Sequence, residues 1–466
     1  MMRVKNLFTI DSENISVKLF AIATPIIVQN LVQYLQLQVD MAMLGHYNPV
    51  FLSAVGNVIF PYSILYTFIS SLSTGTTVLI AHSIGARAIR TARRFSEVSF
   101  FYNILISVFF FLFLCLFSGT IMSMMGTSSD IGNYGSRFMG ILSYSFLFEG
   151  IEFSIVAILL GIGKTRAIMY AAILRTTINI VLDWILIYGK LGFPEMGIDG
   201  AALATTIANG AAAVYFLVFL ICNNKLPFKP SLAGIFKPKW AIEKSNIIVG
   251  LPFGFETMLW SFGQLILVRL INGFDPYSAG LFVLVARIQA VSVYFYSGLA
   301  RGTMTLVGNK MGEGKSSEAI KIGLLSLKYA LALCLVAAIF FILIPGKILG
   351  IFTTDTNIIK ETIPLMFLVA VNVFPVSVNV VIGSVIRGMK DTKWMFYTQS
   401  FGTIYIIAMS AILLFVFHFK LAGVFIAIMT DETIRAILNF YRFYKGKNPF
   451  RRTHKRLSEV IRDFQE

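Results

Sequence analysis

The sequence predicts an all-α polytopic membrane protein, with twelve transmembrane helices arranged as two six-helix bundles. Three observations carry that prediction. Hydrophobic residues make up 57% of the 466 residues and charged residues only 13%, about half the ~25% typical of soluble domains. The apolar residues fall in blocks, and a helix needs roughly 20 mostly apolar residues to cross the hydrocarbon core. The two halves of the chain also match one another at a constant offset of 227 residues.

Taken in order, the spans are 17–43, 51–80, 95–118, 131–159, 167–189 and 200–222 in the first half. The second half gives 246–272, 279–308, 319–344, 360–386, 395–418 and 421–444. Residues 101–118, 331–345 and 404–417 are almost wholly apolar. Basic residues sort by loop. Arg87, Arg90, Arg93 and Arg94 separate spans 2 and 3, and Lys164 with Arg166 follows span 4. Lys225, Lys229, Lys237, Lys239 and Lys244 lie between the halves; Lys310 and Lys315 follow span 8; Arg387, Lys390 and Lys393 follow span 10. The opposite loops hold mainly Lys190, Lys347 and Lys420. This positive-inside asymmetry places both termini in the cytoplasm of a plasma-membrane protein. The expected organisation is a first lobe over 1–222, a cytoplasmic linker over 223–245, a second lobe over 246–444 and a basic cytoplasmic tail over 445–466. With the basic residues so distributed, the net charge of +16 points to the membrane surface rather than to nucleic acid.

The repeat is visible in backbone-governing residues. Pro25 and Pro252, Pro49 and Pro276, Gly75 and Gly302, Gly85 and Gly312, and Gly161 and Gly388 all keep the 227-residue spacing. Shared glycines and prolines imply shared backbone. Six spans per repeat give the halves one orientation and a pseudo-twofold along the membrane normal, an arrangement suited to alternating access with a small organic substrate between the halves. A single chain with two halves is expected to work as a monomeric carrier.

A site specialised for function stands out where the halves differ. Asp40 faces Leu267, Asn179 faces Ile406 and Asp183 faces Ser410; after a shorter last connection, Thr205 faces Ile428. Asn179 lies one turn from Asp183, and Gln36 one turn from Asp40, on the same helix faces. A carboxylate inside a membrane span costs about 2.5–3.5 kcal/mol on insertion scales, so a pair facing one cavity is suited to exchanging a proton or Na+. The alternative is that Asp40 and Asp183 are structural, satisfied by Asn179, Thr205 or Arg175. Arg175 extends the Asn179–Asp183 stripe by one turn. Glu256, with Arg287 as a candidate ion-pair partner, forms a second candidate cation site, and Glu149 and Glu152 in span 4 are accessory candidates. Pro25 and Pro252 interrupt the first span of each half and are candidate hinges.

Other chemistries find no support. Gly163-Lys164-Thr165 lacks the earlier glycine of a phosphate-binding loop; Ile158 stands there. The histidines His46, His82, His418 and His454 are scattered, and Cys115, Cys222 and Cys334 have no metal or disulfide spacing. No cofactor, resident metal or enzymatic constellation is expected.

The stretch Val39-Asp40-Met41-Ala42-Met43-Leu44-Gly45-His46, together with Asn179-Ile180-Val181-Leu182-Asp183, Gly192-Phe193-Pro194 and Gly197-Ile198-Asp199-Gly200-Ala201-Ala202-Leu203-Ala204-Thr205, resembles the multidrug and toxic-compound extrusion (MATE) transporters over essentially the whole chain. The resemblance implies a V-shaped pair of six-helix bundles. It also implies export of organic, often cationic and aromatic compounds in exchange for H+ or Na+. The DinF-like branch resembles this chain at Asp40, Asn179, Asp183 and Thr205, and its frequent tyrosine one turn before the first aspartate is Gln36 here. The NorM-like cation site is incomplete: Glu256 lies one turn early, Trp260 stands in the glutamate position and Val376 in the aspartate position. A lipid-linked oligosaccharide flippase of the same superfamily is the alternative; a basic central cavity would favour it, and the Asp40/Asp183 pair argues against it.

Overall fold

The computed structural model describes residues 15–445, and nearly all of them are helical. In chain order the helices are α1 (Ile15–Tyr47), α2 (Pro49–Gly85), α3 (Ile89–Met124), α4 (Ser129–Leu142), α5 (Ser145–Gly161), α6 (Arg166–Tyr188), α7 (Ile198–Cys222), α8 (Leu232–Ile235), α9 (Trp240–Phe274), α10 (Pro276–Gly312), α11 (Ser316–Leu343), α12 (Pro345–Leu349), α13 (Thr356–Gly388), α14 (Thr392–Ala411) and α15 (Lys420–Lys445). Among the described residues, ten helices are long and apolar enough to cross a membrane. The fourth span is broken into α4 and α5, which bend by 47° and together supply an eleventh. Helix α15 has 26 residues, about 39 Å at 1.5 Å per residue, and completes the twelve. Its interior charges Asp431, Glu432 and Arg435 set it apart from the apolar spans. The tail beyond Lys445 lies outside the described residues.

The chain divides into two compact units. Among the described residues, one comprises Val28–Gly254 and the other residues 15–27 and 255–445. The division falls inside α1 and α9, in each case two residues after the helix proline, Pro25 or Pro252. Each of these helices therefore begins in one unit and ends in the other.

Within the first unit, α2 packs on α3, α4 and α5, and α7 packs on α4, α5 and α6. Leu44, Phe51, Val58, Phe110, Phe138, Phe146 and Ile198 fill its core. The segment between the halves is anchored by α3: Glu97 accepts hydrogen bonds from the Ser231 amide at 2.9 Å and hydroxyl at 2.7 Å, and Arg94 donates to the Gly234 carbonyl at 2.7 Å. Within the second unit, α13 packs on α10, α11 and α15.

The repeat is written in the contacts. Asn48 caps α2 by accepting from the Val50 amide at 2.9 Å. Asp275, its equivalent, caps α10 by accepting from the Tyr277 and Ser278 amides at 3.2 and 3.0 Å. Thr76 bonds Ser99 at 2.7 Å and its equivalent Thr303 bonds Ser326 at 2.8 Å. Gly161 sits so close to α2 that a Cβ would lie 2.6 Å from Ile80 and 3.2 Å from the Thr77 carbonyl. Its equivalent Gly388 meets Met304 at 2.9 Å and Val307 at 3.1 Å, the same two positions in the other half.

Candidate functional site

Helix α6 organises the site in the first unit. Arg175, Asn179 and Asp183 follow one another at four-residue spacing and share one face. Asn179 and Asp183 are fully buried. Asn179 Nδ2 donates to Thr205 Oγ1 at 3.4 Å, while Thr205 donates to the Ala201 carbonyl of its own helix at 3.0 Å. Opposite, α1 brings Asp40 within hydrogen-bonding reach of both Asp183 and Gln36. Gln36 Oε1 in turn accepts from Thr176 Oγ1 at 2.9 Å. Asp40, Asp183, Asn179, Thr205 and Gln36 are thus drawn into one region of α1, α6 and α7, while Arg175, two turns from Asp183 on α6, turns to Glu152. Neither Asn179 nor Thr205 donates to Asp183: both of its carboxyl oxygens, and Oδ1 of Asp40, are buried without a hydrogen-bond donor. Two apposed carboxyls with no donor between them cannot both remain ionised without a cation; one shared proton satisfies both.

Glu149, Glu152, Arg175 and Glu256 find specific partners. Arg175 pairs with Glu152 at 3.4 Å, and Glu149 accepts from the Tyr62 hydroxyl at 2.5 Å. Glu256 pairs with Arg387, at 2.8 and 3.1 Å, a partner that the sequence reading did not name. Arg387 is in the last turn of α13, inside the helix rather than in the loop after it. A part-buried ion pair of this kind is a structural account of Glu256.

One charged cluster escaped the sequence reading. Arg435 on α15 binds Asp431 at 2.7 Å, Glu432 at 2.5 Å and Gln399 of α14 at 2.9 Å, all buried. With Trp260, Phe282 and Tyr294 these residues line a cavity of about 280 Å³ within the second unit. The signal was present as i,i+3 and i,i+4 acid–arginine spacing, but spacing along α15 does not place Gln399 of α14 beside it. Among the described residues no group of three or more His, Cys, Asp or Glu gathers into a metal site.

The MatE family model matches residues 25–185 and 252–413. The chain belongs to the MatE family. The two matches begin at Pro25 and Pro252, so the family unit is the same repeat that the offset of 227 reveals. Among relatives, the chain is 27% identical over 449 residues to the probable multidrug resistance protein NorM of Thermotoga maritima, covering 92% of each chain. It is 25% identical over 427 residues to the uncharacterised transporter YisQ of Bacillus subtilis, covering 91% of this chain and 93% of that one. A crystal structure of a MATE protein in the bent conformation superposes with a TM-score of 0.88 at 21% identity, over 98% of this chain and 99% of that one. As a MatE member the protein is a multi-pass membrane transporter with the MATE fold.

Proposed function

We propose that this MatE protein is a secondary antiporter of the plasma membrane, exporting organic, cationic and aromatic compounds in exchange for H+ or Na+, with coupling at Asp40 and Asp183. The observation that carries the reading is the apposition of the two carboxyls, with both oxygens of Asp183 and Oδ1 of Asp40 buried and without a donor. With one proton bound the pair holds a single negative charge, with two it holds none, and the cationic substrate is released. Deprotonated, it attracts one. A ligand drives such a cycle only through its different affinity for two states, and this pair supplies that difference in charge. Na+ would find oxygens at Asp40, Asn179, Asp183 and Thr205. Proton exchange fits the carboxyl–carboxyl contact more simply, because a proton needs no further ligands. The printed name of the Thermotoga relative, a probable multidrug resistance protein, supports the substrate class. The resemblance at Asp40, Asn179, Asp183 and Thr205 supports placement in the DinF-like branch, and the positive-inside pattern supports cytoplasmic termini.

Binding of ethidium, a flat aromatic cation, to the purified protein tests the coupling directly. Measured by fluorescence anisotropy, affinity in the wild type is expected to fall as pH is lowered, by about tenfold for about 1.4 kcal/mol of coupling. Asp40→Asn and Asp183→Asn are expected to remove that pH dependence. Wild-type affinity indifferent to pH but sensitive to Na+ would identify Na+ as the coupling ion. Affinity indifferent to both would sink the reading.

A further inference from the structure

The first unit holds a second acid site, set apart from the Asp40–Asp183 pair. Glu149 and Glu152 lie three residues apart on α5 and are 5% and 8% exposed. Each has a buried carboxyl oxygen with no partner: Oε2 of Glu149 and Oε1 of Glu152. One cation serves the two, Arg175, whose Nη1 lies 3.4 Å from Glu152 Oε2. Glu149 is held instead by the Tyr62 hydroxyl at 2.5 Å.

Two acids and one base leave one negative charge too many. Side chains three apart on a helix stand about 5–6 Å from each other, and an uncompensated carboxylate inside a span is costly. Among the described residues no second cation stands beside them to balance it. From α2 the facing ionisable groups are Tyr62 and, behind it, Tyr66, whose ring packs on Phe153. From α6 there is Arg175. From α3 come neutral Asn103, bonded to Ser154 at 3.1 Å, and Ser107 beside Gly150. From α7 comes neutral Thr206, bonded to Ser145 at 3.2 Å. A metal cation is poorly served where a guanidinium already occupies one carboxylate. A proton on the orphaned Oε2 of Glu149 balances the charge and leaves Oε1 to accept from Tyr62.

We propose that Glu149, with Glu152, Arg175 and Tyr62 around it, is a second proton-binding site of this unit. The two acid sites share α6: Arg175 serves Glu152, and the adjacent Thr176 donates to Gln36, which bonds Asp40. Proton loss from Glu149 sets two carboxylates competing for one guanidinium and pulls on the helix that carries Asp183. The proposal rests on reading this unit as the coupling unit, but it has its own readout.

Infrared spectroscopy of the lipid-reconstituted full chain, with glutamate carboxyls labelled with carbon-13, separates glutamate from aspartate protonation by the isotope shift of the carboxylic C=O band. A glutamate C=O band is expected near neutral pH, absent from Glu149→Gln and retained in Asp40→Asn and Asp183→Asn. Arg175→Met is expected to add a second glutamate band, since Glu152 loses its counter-ion. A wild type with no label-sensitive C=O band near neutral pH, or one whose band survives in Glu149→Gln, overturns the proposal. Should Glu149→Gln fail to fold, the band gained in Arg175→Met decides, and its absence counts against the site. Loss of the unlabelled aspartate signal alone would fault the Asp40–Asp183 reading and leave this one standing.

Discussion

At Lys390 the chain places an ammonium group, buried without an acceptor, in the turn between α13 and α14. The residue has φ 68°, a left-handed conformation that glycine Gly163 adopts at the equivalent place in the first half, with φ 74°. The other half-turn pair is reversed, with Arg87 at φ 58° opposite Gly314 at φ 76°. Burial pushes the Lys390 ammonium down to about 7. An unfolded lysine keeps its proton to about pH 10.4, so between these values the unfolded chain holds a proton that the folded chain has released. Stability therefore rises as pH rises from about 7 towards about 10, and the deficit is greatest below about 7. Lys390→Met is expected to raise the melting temperature at neutral pH and flatten its pH dependence over that window; an unchanged slope in a thermal-melt series would contradict the assignment. Sequence could not reveal such a residue, because Lys390 reads as one more cytoplasmic charge until the turn is folded around it. The Asp40 and Asp183 positions were legible, since the repeat exposes them as differences between halves. The partner of Glu256 was not, because helix spacing along the chain carries no distance between α9 and α13.

Shared glycines implied shared backbone, and the structure places two of them at helix contacts. Gly161 and Gly388 let α5 and α13 approach α2 and α10 at equivalent points, and an added methyl there must displace a neighbour. Gly161→Ala and Gly388→Ala are each expected to cost about 1–3 kcal/mol, the range for overpacking. Gly45→Ala in α1 meets nothing within 4 Å and is expected to be neutral or to stabilise by about 0.5–1 kcal/mol through helix propensity. Thermal melts of the three variants check the contrast, and equal effects would show that backbone approach is not what the shared glycines provide. The prolines act on a different property. Each lies two residues before the point where its helix passes from one compact unit to the other, and each removes a helical hydrogen bond. Pro25→Ala is expected to slow transport turnover while leaving equilibrium binding of ethidium unchanged, the signature of a conformational step. The break between α4 and α5 was not legible: no proline stands at Ser143 and Tyr144, and the apolar run continues through the bend.

Across the whole molecule, composition and charge distribution specify a membrane protein, and the repeat specifies two structurally equivalent halves. The proposed coupling rests on where that equivalence is broken. The first half places acids at Asp40, Glu149, Glu152 and Asp183, where the second has Leu267, Val376, Asn379 and Ser410. The second half instead collects Asp431, Glu432 and Arg435 beside its cavity. A shared backbone with unshared charge is what an exchanger requires: one scaffold that moves, and a titrating site that biases the movement. Efflux of ethidium from proteoliposomes under an imposed proton gradient, with wild type, Asp40→Asn and Asp183→Asn compared, tests that account most directly. The account predicts proton-driven efflux in the wild type and its loss, by at least about tenfold, in both variants. Undiminished efflux in either variant, or no flux of the cation under a proton or a sodium gradient, would contradict it.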